Sequence, residues 1–126
     1  MPRAPTQPQP PEAAHSEALR RFKADVFQVL GHQSRIHIVE CLRTGELSVG
    51  ELLDRVPVEP ANLSQHLSVL KGKRLVLHRK EGNQVFYRLR DPLLTEVLDT
   101  MKLYFQKHLG EALDLLREIE EDGAKR

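Results

Sequence analysis

The chain has 126 residues and a mass of 14.4 kDa, the size of one compact domain and too small for two ordinary hydrophobic cores. Hydrophobic residues make up 40% of it and charged residues 29%, and no apolar run approaches the roughly 20 residues that span a bilayer, which excludes a helical membrane protein. The formal net charge of +1 hides a segregation: from Pro60 to Arg90 seven Lys and Arg stand against Glu81 alone, and from Gly110 to Asp122 six acids stand against Arg117. Local sign rather than the total sets the field that a phosphate backbone meets. The N-terminus lacks an apolar signal core and the single Cys41 cannot form an intramolecular disulfide, so the reducing cytoplasm is the expected compartment.

Residues 1–14 hold five of the eight prolines and no periodic apolar pattern, which predicts a disordered arm ahead of one folded domain at 15–122. In "SEALRRFKADVFQVLG" the stripe Leu19, Phe22, Val26, Val29 and Leu30 predicts a first helix stopped at Gly31. Ser34 is placed to cap a second helix, "RIHIVECLR", with Ile36, Val39 and Leu42 inward and Thr44-Gly45 at its end. Ser48 followed by Glu51 forms a capping box for a short third helix running to about Arg55. After the turn "PVEP", Pro60 suits the first position of a fourth helix, because its missing N–H would be unpaired there anyway. Two short helices and a tight turn make a helix-turn-helix.

The pattern then becomes extended. "LVLHRK" and "VFYRL" flank "EGNQ", in which Gly82 and Asn83 favour a tight hairpin turn, giving a two-stranded wing. Asp91 and Pro92 precede a last long helix with Leu94, Leu98, Met101, Phe105, Leu109, Ala112, Leu116 and Ile119 at spacings of three and four, where Gly110 is a candidate bend. Leu19, Phe22 and Val26 with Leu98, Met101, Phe105 and Leu109 offer more apolar surface than one small domain can bury, so a homodimer through the first and last helices is expected.

The fourth helix carries the recognition chemistry. Leu63, Leu67 and Leu70 form its buried stripe, and a rotation of about 100° per residue puts Ala61, Asn62, Gln65 and Ser68 on the opposite side, with Ser64 and His66 at the margins. Small residues permit close approach, and Asn and Gln amides make bidentate contacts to adenine. Ser64 and His66 are candidates for phosphate or flanking contacts, as are Lys71, Lys73 and Arg74 near the helix end; Arg79, Lys80, Asn83 and Gln84 are candidates on the wing. The competing interpretation of these charges is an ordinary solvated surface. Double-stranded DNA is therefore the expected partner.

The order helix, helix, helix-turn-helix, hairpin, long helix is that of a winged helix-turn-helix, a mainly α fold with a small β-hairpin. Over roughly Leu19 to Leu109 the chain resembles the ArsR/SmtB family of bacterial transcriptional regulators, through "LGHQSRIHIV", "ELSVGEL", "LSQHLSVLK" and "KEGNQVFYRL". The resemblance implies a sequence-specific, DNA-binding, homodimeric repressor, with the fourth helix in the major groove, the wing on an adjacent groove or backbone, and dimerisation helices at both ends.

Many members of that family release DNA on binding metal through cysteines in a pattern "ELCVC". Here "ELSVG" puts Ser48 and Gly50 at those positions, which removes the thiolate site. A second family site on the last helix matches only at Asp91, with Leu93, Tyr104 and Lys107 at the other positions. Cys41, among Ile38, Val39 and Leu42, is expected as a core thiol. Of the six histidines no two lie four apart on a helix; His15 and His108 are the candidates for a divalent zinc or nickel ion shared across a dimer, and no cofactor is expected to be required for folding. A metal-responsive regulator using such histidine and carboxylate ligands is one alternative function. A winged-helix module that binds another protein is a second, and no catalytic constellation points to an enzyme.

Overall fold

The structure, a computed structural model, describes residues 11–124. In chain order its elements are α1 (Pro11–Leu30), α2 (Gln33–Cys41), a 3-10 turn (Leu42–Thr44), β1 (Leu47–Ser48), α3 (Val49–Arg55), α4 (Pro60–Gly72), β2 (Val76–Glu81), β3 (Gln84–Leu89) and α5 (Leu93–Ala124). The expected arm at 1–14 falls mostly outside the described residues, but its last four belong to α1. Pro11 takes the first helical position and Glu12 the first turn, where a missing N–H costs nothing and a carboxylate meets the positive end of the helix dipole.

Gly31 ends α1 as expected, and a Cβ there would lie 3.3 Å from the carbonyl oxygens of both Phe27 and Gln28. The cap of α2 differs from expectation. His32, not Ser34, is the N-cap, and its Nδ1 accepts from the Ser34 N–H at 3.2 Å, leaving Ser34 inside the helix. The capping box of α3 is present, with Ser48 Oγ accepting from Glu51 N at 3.1 Å and Glu51 Oε1 accepting from Ser48 N at 3.2 Å.

The wing has three strands rather than the expected two. The sheet order is β1-β3-β2, antiparallel throughout, with Leu47 opposite Tyr87 and Ser48 opposite Phe86. β2 and β3 pair from Val76 and Leu89 at the root to Glu81 and Gln84 at the tip. Gly82, at φ 60°, takes the positive-φ position of the two-residue turn, and Asn83 stays at negative φ. A glycine in the first central position is what a type II′ hairpin requires.

One apolar cluster joins the elements. Ile38 and Val39 from α2, Leu52 from α3, Leu63, Leu67 and Leu70 from α4 and Val76 from β2 have almost no solvent exposure, with Val29, Leu30, Leu42, Leu47, Val56 and Leu89 around them. Full burial stabilises each such side chain by about 1.5–3 kcal/mol relative to exposure. Cys41 is half-buried against this cluster. Burial pushes its thiol pKa up, opposed by Arg55 and reinforced by Glu40.

Asp91 Oδ1 accepts from Leu93 N at 2.9 Å and Thr95 Oγ1 donates to Pro92 O at 2.6 Å, fixing the start of α5. Arg43 of the 3-10 turn grips Asp99 through both Nη atoms, tying α5 to the domain. Beyond that clamp the helix departs: every residue from Met101 to Ala124 is exposed. Gly110 does not interrupt it, and at about 1.5 Å per residue α5 is about 48 Å long. Among the described residues no helix is long and apolar enough to cross a membrane.

Candidate nucleic-acid interface

α4 is presented by its neighbours rather than by its own cap. Glu59 makes no side-chain cap bond, and Pro60 opens the helix at a position needing no N–H. The preceding turn is tight: Val56 N donates to Leu52 O and Val58 N to Val56 O, each at 2.8 Å. With Leu63, Leu67 and Leu70 anchored in the core, Ala61, Asn62, Ser64, Gln65 and Ser68 are all exposed. The structure thus places the small and amide-bearing residues on one accessible face, with Lys71 and Lys73 exposed toward its end.

His66 does not share that face. It is only 9% exposed, its Nδ1 accepts from Arg35 Nε at 3.2 Å, and its ring packs tilted against His32 with centroids 4.3 Å apart. Arg35 also donates from Nη1 to Val29 O at 3.2 Å. The expected phosphate or flanking contact from His66 is therefore corrected to an internal role: it links α4 to the start of α2. Burial, with the positive charges of His32 and Arg35 adding to it, holds the His66 pKa below the ordinary imidazole range. The signal was present in the sequence, since 63, 66, 67 and 70 follow the i, i+3, i+4, i+7 pattern of a buried stripe.

α4 ends in a Schellman arrangement, with Leu75 N donating to Leu70 O at 3.0 Å and Arg74 N to Lys71 O at 2.9 Å. Arg74 occupies the left-handed position, φ 55°, which glycine usually fills. Lys73 is engaged by Asp25 of α1 at 3.5 Å.

On the wing, Lys80, Asn83 and Gln84 are exposed near the tip, and Lys80 has no ion-pair partner among the described residues. Arg79 is different. Its Nη2 lies 2.6 Å from Glu46 Oε1, its Nη1 2.6 Å from Glu81 Oε2, and its guanidinium stacks over Phe86 at 4.5 Å. Those hydrogen bonds raise the Arg79 pKa further, and the one from Arg79 holds the Glu46 carboxyl below its usual range. A phosphate contact from Arg79 would have to displace two carboxylates, whereas Lys80 needs no such exchange. Behind the tip, a cleft of about 560 Å³ is bordered by Lys71, Arg74, Arg88 and Arg90, of which Arg88 and Arg90 lie beyond the expected contacts.

The metal candidates lie apart from all of this. His15 is exposed on α1, and His108 is exposed on α5 with Nδ1 3.1 Å from Glu111 Oε2. Among the described residues no three His, Cys, Asp or Glu side chains gather as a metal site would need.

The expected dimer residues on α1 and α5 are left uncovered by the single chain. Phe22 is 57% and Phe105 70% exposed, Leu19, Met101 and Leu109 are also exposed, and Val26 and Leu98 are half-buried.

Comparison with known proteins gives one consistent answer. Residues 32–77 match the model of the bacterial regulatory protein arsR family. The chain is 36% identical over 110 residues to the uncharacterised HTH-type transcriptional regulator Rv0081 of Mycobacterium tuberculosis, covering 86% of this chain and 96% of that one. The crystal structure of Rv0081 superposes with a TM-score of 0.69 over 75% of this chain and 96% of that one. A homodimeric winged helix-turn-helix DNA-binding domain from Mycobacterium bovis, solved by NMR, is 25% identical with a TM-score of 0.69, covering 82% and 94% of the two chains. The transcriptional repressor BigR from Xylella fastidiosa is 30% identical with a TM-score of 0.65, covering 77% and 97%. A winged helix-turn-helix with these relatives is a sequence-specific DNA-binding transcriptional regulator rather than an enzyme, and this chain belongs to the ArsR family.

Proposed function

We propose that two copies of this chain join through α1 and α5 and act on double-stranded DNA as a repressor, with α4 reading the major groove of each half-site and the wing holding the adjacent backbone. The observation that carries this reading is the division of α4: three leucines fixed in the core and, opposite them, an exposed face of Ala61, Asn62, Gln65 and Ser68. A rigid helix with amides on its free side meets the geometric need of base-edge recognition. Ser64, Lys71 and the wing residues Lys80, Asn83 and Gln84 supply phosphate and groove contacts around it.

The dimer is supported by the uncovered apolar residues of α1 and α5 and by the homodimeric Mycobacterium bovis domain. A two-fold dimer presents two copies of α4 at a fixed separation, so a palindromic site follows from its symmetry. The repressor sense is supported by the likeness to BigR; a dimer seated over a promoter excludes polymerase without further chemistry.

The test is fluorescence anisotropy of the full chain with DNA from upstream of its own gene and with shuffled DNA, at two salt concentrations. A preference for the upstream DNA that persists at the higher salt supports the reading. Equal affinity for both DNAs at both salts would overturn it, because phosphate attraction alone is salt-sensitive and carries no sequence information.

A further inference from the structure

We propose that the cleft at the root of the wing is a phosphate-binding site, and that it takes the DNA backbone beyond the segment read by Gln65; the choice of DNA as the source rests on the function proposed above. The cleft, about 560 Å³, lies between the end of α4 and the hairpin. Lys71 lines it from α4, Arg74 from the turn that follows α4, and Arg79, Arg88 and Arg90 from the sheet and its exit, with Glu46 as the carboxylate among them. Glu46 is already consumed, since it pairs with Arg79 at 2.6 Å. Four cations are left with no carboxylate in ion-pair range among the described residues.

Sheet register explains why they gather. Leu89 is buried at the root of the wing, so its neighbours Arg88 and Arg90 are exposed on the other side of the strand. Arg74 arrives from α4 through the left-handed position at its end. Glycine would fill that position without strain, so an arginine there holds a guanidinium in the cleft at a backbone cost. Like charges assembled in one concavity repel until a polyanion neutralises them, and the arginine fork matches phosphate oxygens two at a time.

The cleft is also distinct in place from the reading elements. Lys71 lies six residues beyond Gln65, about 9 Å along α4, and Arg88 lies four residues from Gln84, about 13 Å from the tip of the wing. A phosphate chain continuing past the reading helix and wing tip fits this setback. Free phosphate compounds share the same chemistry, and a cleft of this size is within the range that small ligands occupy.

The experiment uses the full chain, an Arg88→Ala/Arg90→Ala variant and, separately, Arg74→Gly, which relieves strain and so guards against a folding artefact. Operator duplexes sharing one core but differing in flank length are titrated between 50 and 200 mM salt. Longer flanks should tighten wild-type binding. The double variant should lose that gain and become about a hundredfold less salt-sensitive across the range, as expected for four lost phosphate contacts, two in each protomer of the dimer; Arg74→Gly should lose about half as much on a logarithmic scale. Base preference on the short core should stay unchanged. In a second arm, tripolyphosphate is titrated into DNA-free protein. Submillimolar binding that the variants abolish, without a flank effect, would assign the site to a free phosphate compound instead of DNA. Persistence of the flank gain in all variants together with no variant-sensitive tripolyphosphate binding would overturn the site while leaving core operator binding intact. Loss of operator preference in the wild type with tripolyphosphate binding retained would sink the DNA reading alone.

Discussion

Arg35 on α2 donates from Nε to Nδ1 of His66 on α4 at 3.2 Å, so the proposed reading helix is tied to the body by a hydrogen bond that requires a neutral imidazole acceptor. His32 sits against the same ring while its own Nδ1 caps α2. The His66 pKa is held low by burial, then by His32 and Arg35. A base whose folded pKa lies below its unfolded value of about 6.5 gives stability that is complete above that value and lost as pH falls toward the folded pKa, because the unfolded chain binds the extra proton. Thermal unfolding of wild type should therefore drop between pH 7.5 and pH 5 by more than that of His66→Gln, which cannot titrate. Equal pH dependence in the two proteins would show that His66 is not the responsible group.

Arg74 should be a site of easy stabilisation. A non-glycine residue in the left-handed region costs about 1–2 kcal/mol, and Arg74 sits there at φ 55°. Arg74→Gly removes this strain but loosens the unfolded chain, leaving a net gain of about 0.5–1 kcal/mol and a rise in Tm of about 2–4 °C. Differential scanning calorimetry checks it. An unchanged or lower Tm would mean that the Arg74 side chain makes a compensating contact in the folded state.

Several of these features were legible in the sequence and others were not, for physical reasons that differ from case to case. The capping box at Ser48 and Glu51, Pro60 at the start of α4 and the glycine turn of the hairpin are local, and each appears where the residues placed it. β1 is two residues long, too short to show the alternation that reveals a strand, and exists only because β3 offers a free edge. Pro11 and Glu12 carried a helix-start signal that the proline-rich composition of residues 1–14 concealed. The clamp of Glu46 on Arg79 joins residues 33 positions apart and has no local signature. His66, expected at the margin of the polar face from its polar side chain, is buried because its spacing from Leu63, Leu67 and Leu70 puts it on the core side. On the candidate DNA surface, the exposed positions of α4 and the wing tip follow from periodicity; which cations are free and which are paired depends on the tertiary fold.

Cys41 should be silent. It packs half-buried against the core, and burial pushes its thiol pKa up, which keeps it protonated and a poor nucleophile. Cys41→Ser should leave operator binding and any response to zinc or nickel nearly unchanged, with a stability loss of about 1 kcal/mol from placing a hydroxyl where a thiol packed. A metal response abolished by this substitution, in a protein whose circular dichroism is unchanged, would make Cys41 a ligand and contradict its assignment to packing.

Phe105 tests the dimer. It is 70% exposed on the segment of α5 beyond the Arg43–Asp99 clamp, with Met101 and Leu109 exposed four residues to either side. A glutamate there would put a charge on the apolar seam of each helix, and two copies meeting at the two-fold axis would each have to desolvate it. Phe105→Glu should shift light scattering toward the monomer and weaken operator binding at the same time, since half-site spacing depends on the dimer. A monomeric wild type at micromolar concentration would contradict the assembly outright.

Reading and anchoring should separate in two single substitutions. Gln65 is exposed on the free face of α4, backed by Leu63 and Leu67 in the core, so its amide is aimed by a helix that cannot roll. Gln65→Ala should cost about 1–3 kcal/mol on the operator and relax preference at one base pair per half-site, with little effect on shuffled DNA. Lys80 is exposed on the wing and, unlike Arg79, has no carboxylate partner within ion-pair range among the described residues. It carries charge without pattern. Lys80→Ala should therefore weaken operator and shuffled DNA by similar factors and make the salt dependence shallower by about one unit of slope for each protomer. Arg79→Ala should do less than its charge suggests, because removing it also frees Glu46 and Glu81 to repel the backbone or to re-pair with Arg88. Anisotropy titrations of all three variants on both DNAs check the set. If Gln65→Ala weakened both DNAs alike while Lys80→Ala changed base preference, the wing would be the reading element and α4 the anchor, and the proposed docking would have to be reversed on an unchanged fold.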